Sequence, residues 1–224
     1  MFVSLKKKII YFHISRTAGT SITMMLESMF YDERDLYKEI FNAKNLKHYT
    51  AAHVRIKWGD FVHLDPYPFK HITPSDAAPF LKLAGIDCND FFCFTVVRNP
   101  YTRFVSQLKY LNLNHEKTID HYIDIYGNLD TPAAGYWYKK QVDYLKDPLT
   151  KNFSIYKFEE LDKLYDKFKS INWGHSPTIV HHNKYHPILE KNTTDIILTD
   201  TQKKKIYNMF KEDFDTFGYQ PDFQ

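Results

Sequence analysis

The spacing of hydrophobic positions divides the chain into short continuous runs and longer stretches with helical period. Ile9 to Ile14 is nearly unbroken apolar sequence and predicts a buried strand. Ile22, Met25, Leu26 and Met29 follow at spacings of three and four, the signature of one helix face. The same alternation recurs twice. Phe91 to Val97 predicts a second strand, followed by a helix that starts at Asn99–Pro100 and carries Phe104, Leu108 and Leu111 on its inner face. Asn152 to Phe158 predicts a third strand, with Leu161, Leu164, Tyr165 and Phe168 marking the helix after it.

Further helices are expected between these units. Thr73, Pro74 and Asp76 form a helix start, Phe80, Leu81 and Ala84 its apolar face, and Gly85 its end. Ile119, Tyr122, Ile123 and Tyr126 mark another helix, and Trp137, Val142 and Leu145 suggest one more. Asp200 is expected to cap a last helix bearing Ile206, Met209, Phe210 and Phe214, with Gly218 just past it. Pro66 and Pro68 place 65–69 in a loop. Strands alternating with helices predict an α/β fold around a mostly parallel sheet, which gathers ligands at the carboxyl ends of the strands. With 224 residues and no repeats or evident linkers, one domain over 1–224 is expected.

Composition changes this picture little. Hydrophobic residues make up 43% of the chain, enough for a folded core, and 17 Tyr and 18 Phe serve mainly as core filler. A formal charge of +3 is too small to predict nucleic-acid binding. Cys88 and Cys93 are the only cysteines, which favours a reduced, cytoplasmic setting over a disulfide framework. The apolar run after Lys6–Lys8 is too short for a signal peptide or a membrane span, and no later segment is long enough.

Chemistry concentrates at two strand-to-helix corners. Ser15, Arg16, Thr17, Ala18, Gly19, Thr20 and Ser21 join the first strand to its helix, and a loop in that setting aims N–H groups and a helix dipole at one point. Gly19 permits close approach, and Arg16 adds a permanent charge. The nucleoside triphosphatase loop is excluded, because it needs two glycines and a Lys-Ser/Thr pair. An ordinary turn capped by Thr17 or Thr20 is the competing reading. At the second corner, Arg98 offers a planar fork and Ser106 a hydroxyl from the same side. Parallel strands would open both corners on one edge, suiting a ligand with a phosphate at each end. Otherwise Arg98 would be a surface ion pair at a helix start.

These residues resemble a known family. FHISRTAGTSI is similar to the 5′-phosphosulfate loop of the family 2 (carbohydrate) sulfotransferases, usually HIPKTGGTS, and FTVVRNPYTRFVSQL to their 3′-phosphate motif, usually FVRNPxxRxxS. Weaker matches are KHIT at Lys70–Thr73, QVDYL at Gln141–Leu145, YKFEEL at Tyr156–Leu161, His182–Asn183 and EDFDTFGY at Glu212–Tyr219. The resemblance implies a P-loop-like, three-layer α/β/α fold. It also implies 3′-phosphoadenosine 5′-phosphosulfate as sulfuryl donor, with 3′-phosphoadenosine 5′-phosphate as product and a hydroxyl acceptor, carbohydrate by family analogy. By position, Arg16 to Ser21 would hold the 5′-phosphosulfate, and Arg98 and Ser106 the 3′-phosphate. Arg16 stands where the family usually has Lys; it keeps the charge but cannot donate a proton.

A hydroxyl nucleophile calls for a base, for which His71 in KHIT is the first candidate and His53 in AAHVRI the rival. His13, inside a predicted strand, is expected to be buried. His175, His181, His182 and His186 have no spacing typical of a metal site. The family reading instead sets His182, Asn183 and Lys184 near cofactor or acceptor. Tyr101 is expected to pack, and Arg103 to contact the cofactor or an acid. Two other functions are open: a P-loop-type kinase of nucleotides or small molecules, disfavoured by the missing Lys-Ser/Thr pair, and a non-catalytic protein with the same fold. Acceptor identity and oligomeric state are not encoded in any motif.

Overall fold

The structure is a computed structural model that describes residues 1–4, 7–29, 71–83, 85–113, 115–127, 139–147, 149–170 and 196–223. Among the described residues the sheet has four strands in the order β1 (Phe2–Ser4), β2 (Ile9–Phe12), β3 (Phe92–Val97) and β4 (Ser154–Lys157). β2, β3 and β4 run parallel, with Ile9 opposite Phe92 and Phe94 opposite Ser154. β1 is antiparallel to β2, pairing Phe2 with Tyr11. The apolar runs identify the three parallel strands. They do not reveal β1, because three residues before a lysine run are too few to establish a period.

The described α-helical segments are α1 (Gly19–Met29), α2 (Pro74–Leu83), α3 (Pro100–Tyr110), α4 (Glu116–Gly127), α5 (Gln141–Tyr144), α6 (Leu161–Ser170) and α7 (Asp200–Phe217). Side chains along a strand alternate between faces, and the core divides accordingly. Ile10, Phe12 and Cys93 pack with Ala77, Phe80 and Leu81 of α2. Ile9, Tyr11, Phe94 and Val96 pack with Ile22, Met25 and Leu26 of α1 and with Leu164, Tyr165 and Phe168 of α6. A third cluster joins α3, α4 and α7 through Phe104, Leu108, Ile123, Ile206 and Phe214. A buried Ile, Leu or Phe contributes roughly 1.5–3 kcal/mol, against about 0–1 for an exposed ion pair such as Lys205–Asp124. The clusters therefore decide where the helices sit.

Two local expectations are corrected. Leu111 does not face inward; it is 40% exposed and closes α3 as its C-cap. α7 is capped not by Asp200 but by Thr199, whose side chain accepts from the Gln202 N–H while Gln202 Oε1 accepts from the Thr199 N–H. Asp200 is the first helical residue. The caps of α2 and α3 are as expected: Thr73 Oγ1 accepts from Asp76 N–H and Asn99 Oδ1 from Tyr101 N–H. Ala84, Trp137, His53, His175 and residues 181–186 lie outside the described residues. Among the described residues no helix is long and apolar enough to cross a membrane.

Gly218 ends α7 with φ 66°, a left-handed cap whose N–H donates to Phe214 O. A Cβ there meets nothing within 4 Å, so only the backbone resists substitution. Gly218→Ala is expected to destabilise the fold by about 1 kcal/mol, read from the midpoint of urea unfolding.

Candidate functional site

Parallel pairing of β2 with β3 sends both strands toward the same edge of the sheet, where each turns into a helix. The first corner is a tightly wound loop. Arg16 and Ala18 both have left-handed backbone, φ 64° and 65°, a conformation that costs a non-glycine residue of order 1 kcal/mol or more and from which anion-holding concavities are built. Thr17 is fully buried and donates its hydroxyl proton to Ile14 O at 2.8 Å. That side chain is a brace for the loop, leaving its main chain to face the edge. Ala18 O accepts from Ile22 N–H and opens α1, while Thr20 is exposed and Ser21 half-buried.

Gly19 is required for packing. A Cβ added there would fall inside the imidazole of His13, which is buried against the loop and stacked toward Tyr11. His71 packs against this ring at a tilt of 57°, with centroids 4.4 Å apart. Its Nδ1 is 3.1 Å from His13 O. A carbonyl oxygen can only accept, so Nδ1 is the donor in this contact, the tautomer that in a neutral imidazole leaves the lone pair on Nε2.

At the second corner Arg98 is held in one orientation. Its Nε donates to Thr102 Oγ1 at 3.0 Å, its Nη1 to Arg16 O at 3.3 Å, and its guanidinium lies 4.0 Å from the Phe158 ring centroid. Arg16 reaches across to the same helix: Nε and Nη2 donate to Ser106 Oγ at 3.3 and 3.1 Å, and Nη2 donates to Ser106 O at 2.9 Å. The Tyr110 ring covers its guanidinium at 4.6 Å. Arg16 and Ser106, assigned from sequence to opposite ends of a ligand, are thus in direct contact. Burial pulls the Arg98 guanidinium down to about 10, with Glu159 opposing and Arg16 adding to the fall. Burial also lowers Arg16. Two desolvated cations that repel each other form a place where a dianion is favoured.

Both corners rest on buried polar groups whose partners sequence patterns do not disclose. Arg103, 4% exposed, donates Nε to Ser15 O at 3.1 Å and both Nη groups to Lys139 O at 3.2 Å. Its charge also interacts with that of Asp213, in line with the expectation of an acid nearby. Gln141 brackets Arg98, accepting from its N–H and donating to its C=O, both at 2.8 Å. Asp213 accepts from the N–H groups of Gln141 and Val142 at 3.0 and 2.9 Å. Burial pushes the Asp213 carboxyl up, and Arg103 with these donors pulls it back. Glu159 accepts from Asn99 N–H at 2.9 Å and from Tyr219 Oη at 2.8 Å. Burial, then the Glu159 carboxylate, raises the Tyr219 phenol, which remains a donor at neutral pH. Gln141, Glu159, Asp213 and Tyr219 all fall within the weakly matching motifs, and that is the one signal by which sequence marks them.

A parallel sheet delivering two cationic strand-to-helix corners to one edge defines an anion-handling α/β protein. The chain belongs to sulfotransferase family 2: the model of the Sulfotransferase family matches residues 1–165, which include both corners and end within α6. This membership makes it a transferase of the sulfotransfer class. No curated protein and no solved structure matches the chain.

Gly19→Ala is expected to cost about 1–3 kcal/mol by overpacking against His13. In a double-mutant cycle with His13→Ala the two effects should be non-additive, because the second change removes the ring that the new methyl meets. Additive effects in urea unfolding would mean that the loop, and not His13, rejects the methyl.

Proposed function

We propose that this protein transfers the sulfuryl group of 3′-phosphoadenosine 5′-phosphosulfate to a hydroxyl acceptor, with a carbohydrate as the first candidate. The observation that carries the reading is the contact between the corners: Arg98 Nη1 on Arg16 O, and Arg16 on Ser106. Helices on both faces of a mostly parallel sheet support the P-loop-like three-layer arrangement that such a ligand uses. The residues fit the donor. The main chain of Arg16 to Ser21 would receive its 5′-phosphosulfate, and Arg98 with Ser106 its 3′-phosphate. When bound, the donor supplies the activated sulfuryl group.

The remaining roles fall to the chain itself. Loop N–H groups and the start of α1 oppose negative charge at the 5′ end. Arg16 adds charge but no transferable proton, so it stabilises developing charge electrostatically. His71 is the proposed base: Nδ1–H is anchored on His13 O, and Nε2 takes the acceptor's hydroxyl proton during attack. Tethering the ring to the loop that holds the donor keeps base and donor in fixed relation. His53 lies outside the described residues, so the rivalry between the two histidines is decided by mutation.

The bisphosphate product should raise the melting temperature where ATP with magnesium does not. Arg98→Ala is expected to weaken bisphosphate binding tenfold or more by calorimetry, the loss of a charge-assisted contact to phosphate. His71→Ala should retain that binding yet lose transfer of labelled sulfate to a panel of glycans, lipids and small alcohols, by about 10²–10⁴-fold. Unchanged affinity in the first variant sinks the donor assignment, and normal turnover in the second moves the base elsewhere.

A further inference from the structure

The family match ends within α6, yet the two side chains that grip the main chain at the Arg98 corner, Gln141 and Glu159, are themselves held from α7 and the residues after it. We infer that Asp213 and Tyr219 are positioning residues for the 3′-phosphate corner, acting through Gln141 on Arg98 and through Glu159 on Asn99. The inference rests on the proposed donor for its binding readout but not for its exchange readout.

The argument starts from the symmetry of a side-chain amide. Gln141 is fully buried and brackets Arg98 with Oε1 on the N–H and Nε2 on the C=O, both at 2.8 Å. Turned over, the same amide would set NH₂ against N–H and oxygen against oxygen. Arg98 thus selects the observed orientation, and the second hydrogen of Nε2, which donates to Asp213 Oδ2 at 3.3 Å, reinforces it. A carboxylate can only accept, so it rejects the flipped amide. The same carboxylate takes the N–H groups of Gln141 and Val142, fixing the single turn α5 from which the Gln141 side chain extends. Asp213 therefore fixes the place, and supports the polarity, of the group that holds the Arg98 main chain.

The second relay has the same form. Tyr219 Oη donates to Glu159 Oε2, and Glu159 Oε1 accepts from Asn99 N–H. Asn99 also caps α3, the helix that carries Ser106. The two relays thus grip consecutive residues, Arg98 and Asn99, from one C-terminal segment. On the opposite side Arg103, which attracts Asp213, holds Ser15 O at the first corner. A ligand that must touch both corners senses this spacing, whereas one that touches only the loop does not.

The test compares adenosine 3′,5′-bisphosphate with adenosine 5′-monophosphate by calorimetry in the full chain, and follows the Arg98 and Asn99 amides by hydrogen exchange. Asp213→Asn keeps the shape but replaces one of the two acceptor oxygens that hold Gln141 and Val142 with an NH₂ donor. Its expected result is about a tenfold fall in the preference for bisphosphate over monophosphate, the scale of one lost buried hydrogen bond, with faster exchange at Arg98. Tyr219→Phe is expected to speed exchange at Asn99 and reduce the preference several-fold, and it carries the test if Asp213→Asn does not fold. A variant that melts earlier but keeps the wild-type preference and wild-type exchange is an ordinary core substitution and overturns the inference. If wild-type protein itself shows no preference for the bisphosphate, the donor reading fails, and the exchange of Arg98 and Asn99 alone decides the relays.

Discussion

Arg103 joins what would otherwise be two separate turns of the chain. It stands on α3, which the second corner launches, and its guanidinium ends on Ser15 O, where the first corner begins. Stripping water from a cation costs several kcal/mol, and three or more donated hydrogen bonds with a nearby carboxylate are needed to offset it. Ser15 O, Lys139 O and the charge on Asp213 supply that compensation. Breaking any of them leaves a buried charge short of partners. The site therefore resists small shifts of one corner against the other more than apolar packing alone would.

Local rules account for most of what the sequence discloses. Continuous apolar runs bounded by polar residues give the three parallel strands, and Asn99–Pro100 and Thr73–Pro74 give two helix starts, because strand burial and capping act over a few residues. Parallel order then brings Arg16, Arg98 and Ser106 to one edge, which the alternation of strands and helices anticipates. Thr199, with Gln202 three residues on, was equally readable as a capping box; the neighbouring Asp200 masks it by being a good cap residue as well.

What stays hidden is long-range. Asp213 and Gln141 are 72 positions apart, and Arg103 and Ser15 are separated by 88. No period or spacing relates such residues to one another. The role of Gly19 was obscured in another way: a glycine in an anion loop suggests close approach of a ligand, whereas here the near neighbour is the ring of His13. Thr17 reads as a member of the anion loop or as a cap, and its hydroxyl is tied to Ile14 O. Family resemblance supplies the motif that contains Asp213 and Tyr219, and coordinates supply their partners.

The mutual repulsion of Arg16 and Arg98 has a practical side. A folded state that harbours two crowded guanidinium groups gains from any small oxyanion able to sit between them, and the gain grows with the logarithm of its concentration. Phosphate or sulfate in a purification buffer would then be a participant in the folding equilibrium. Stabilities measured in chloride and in phosphate would differ for that reason alone.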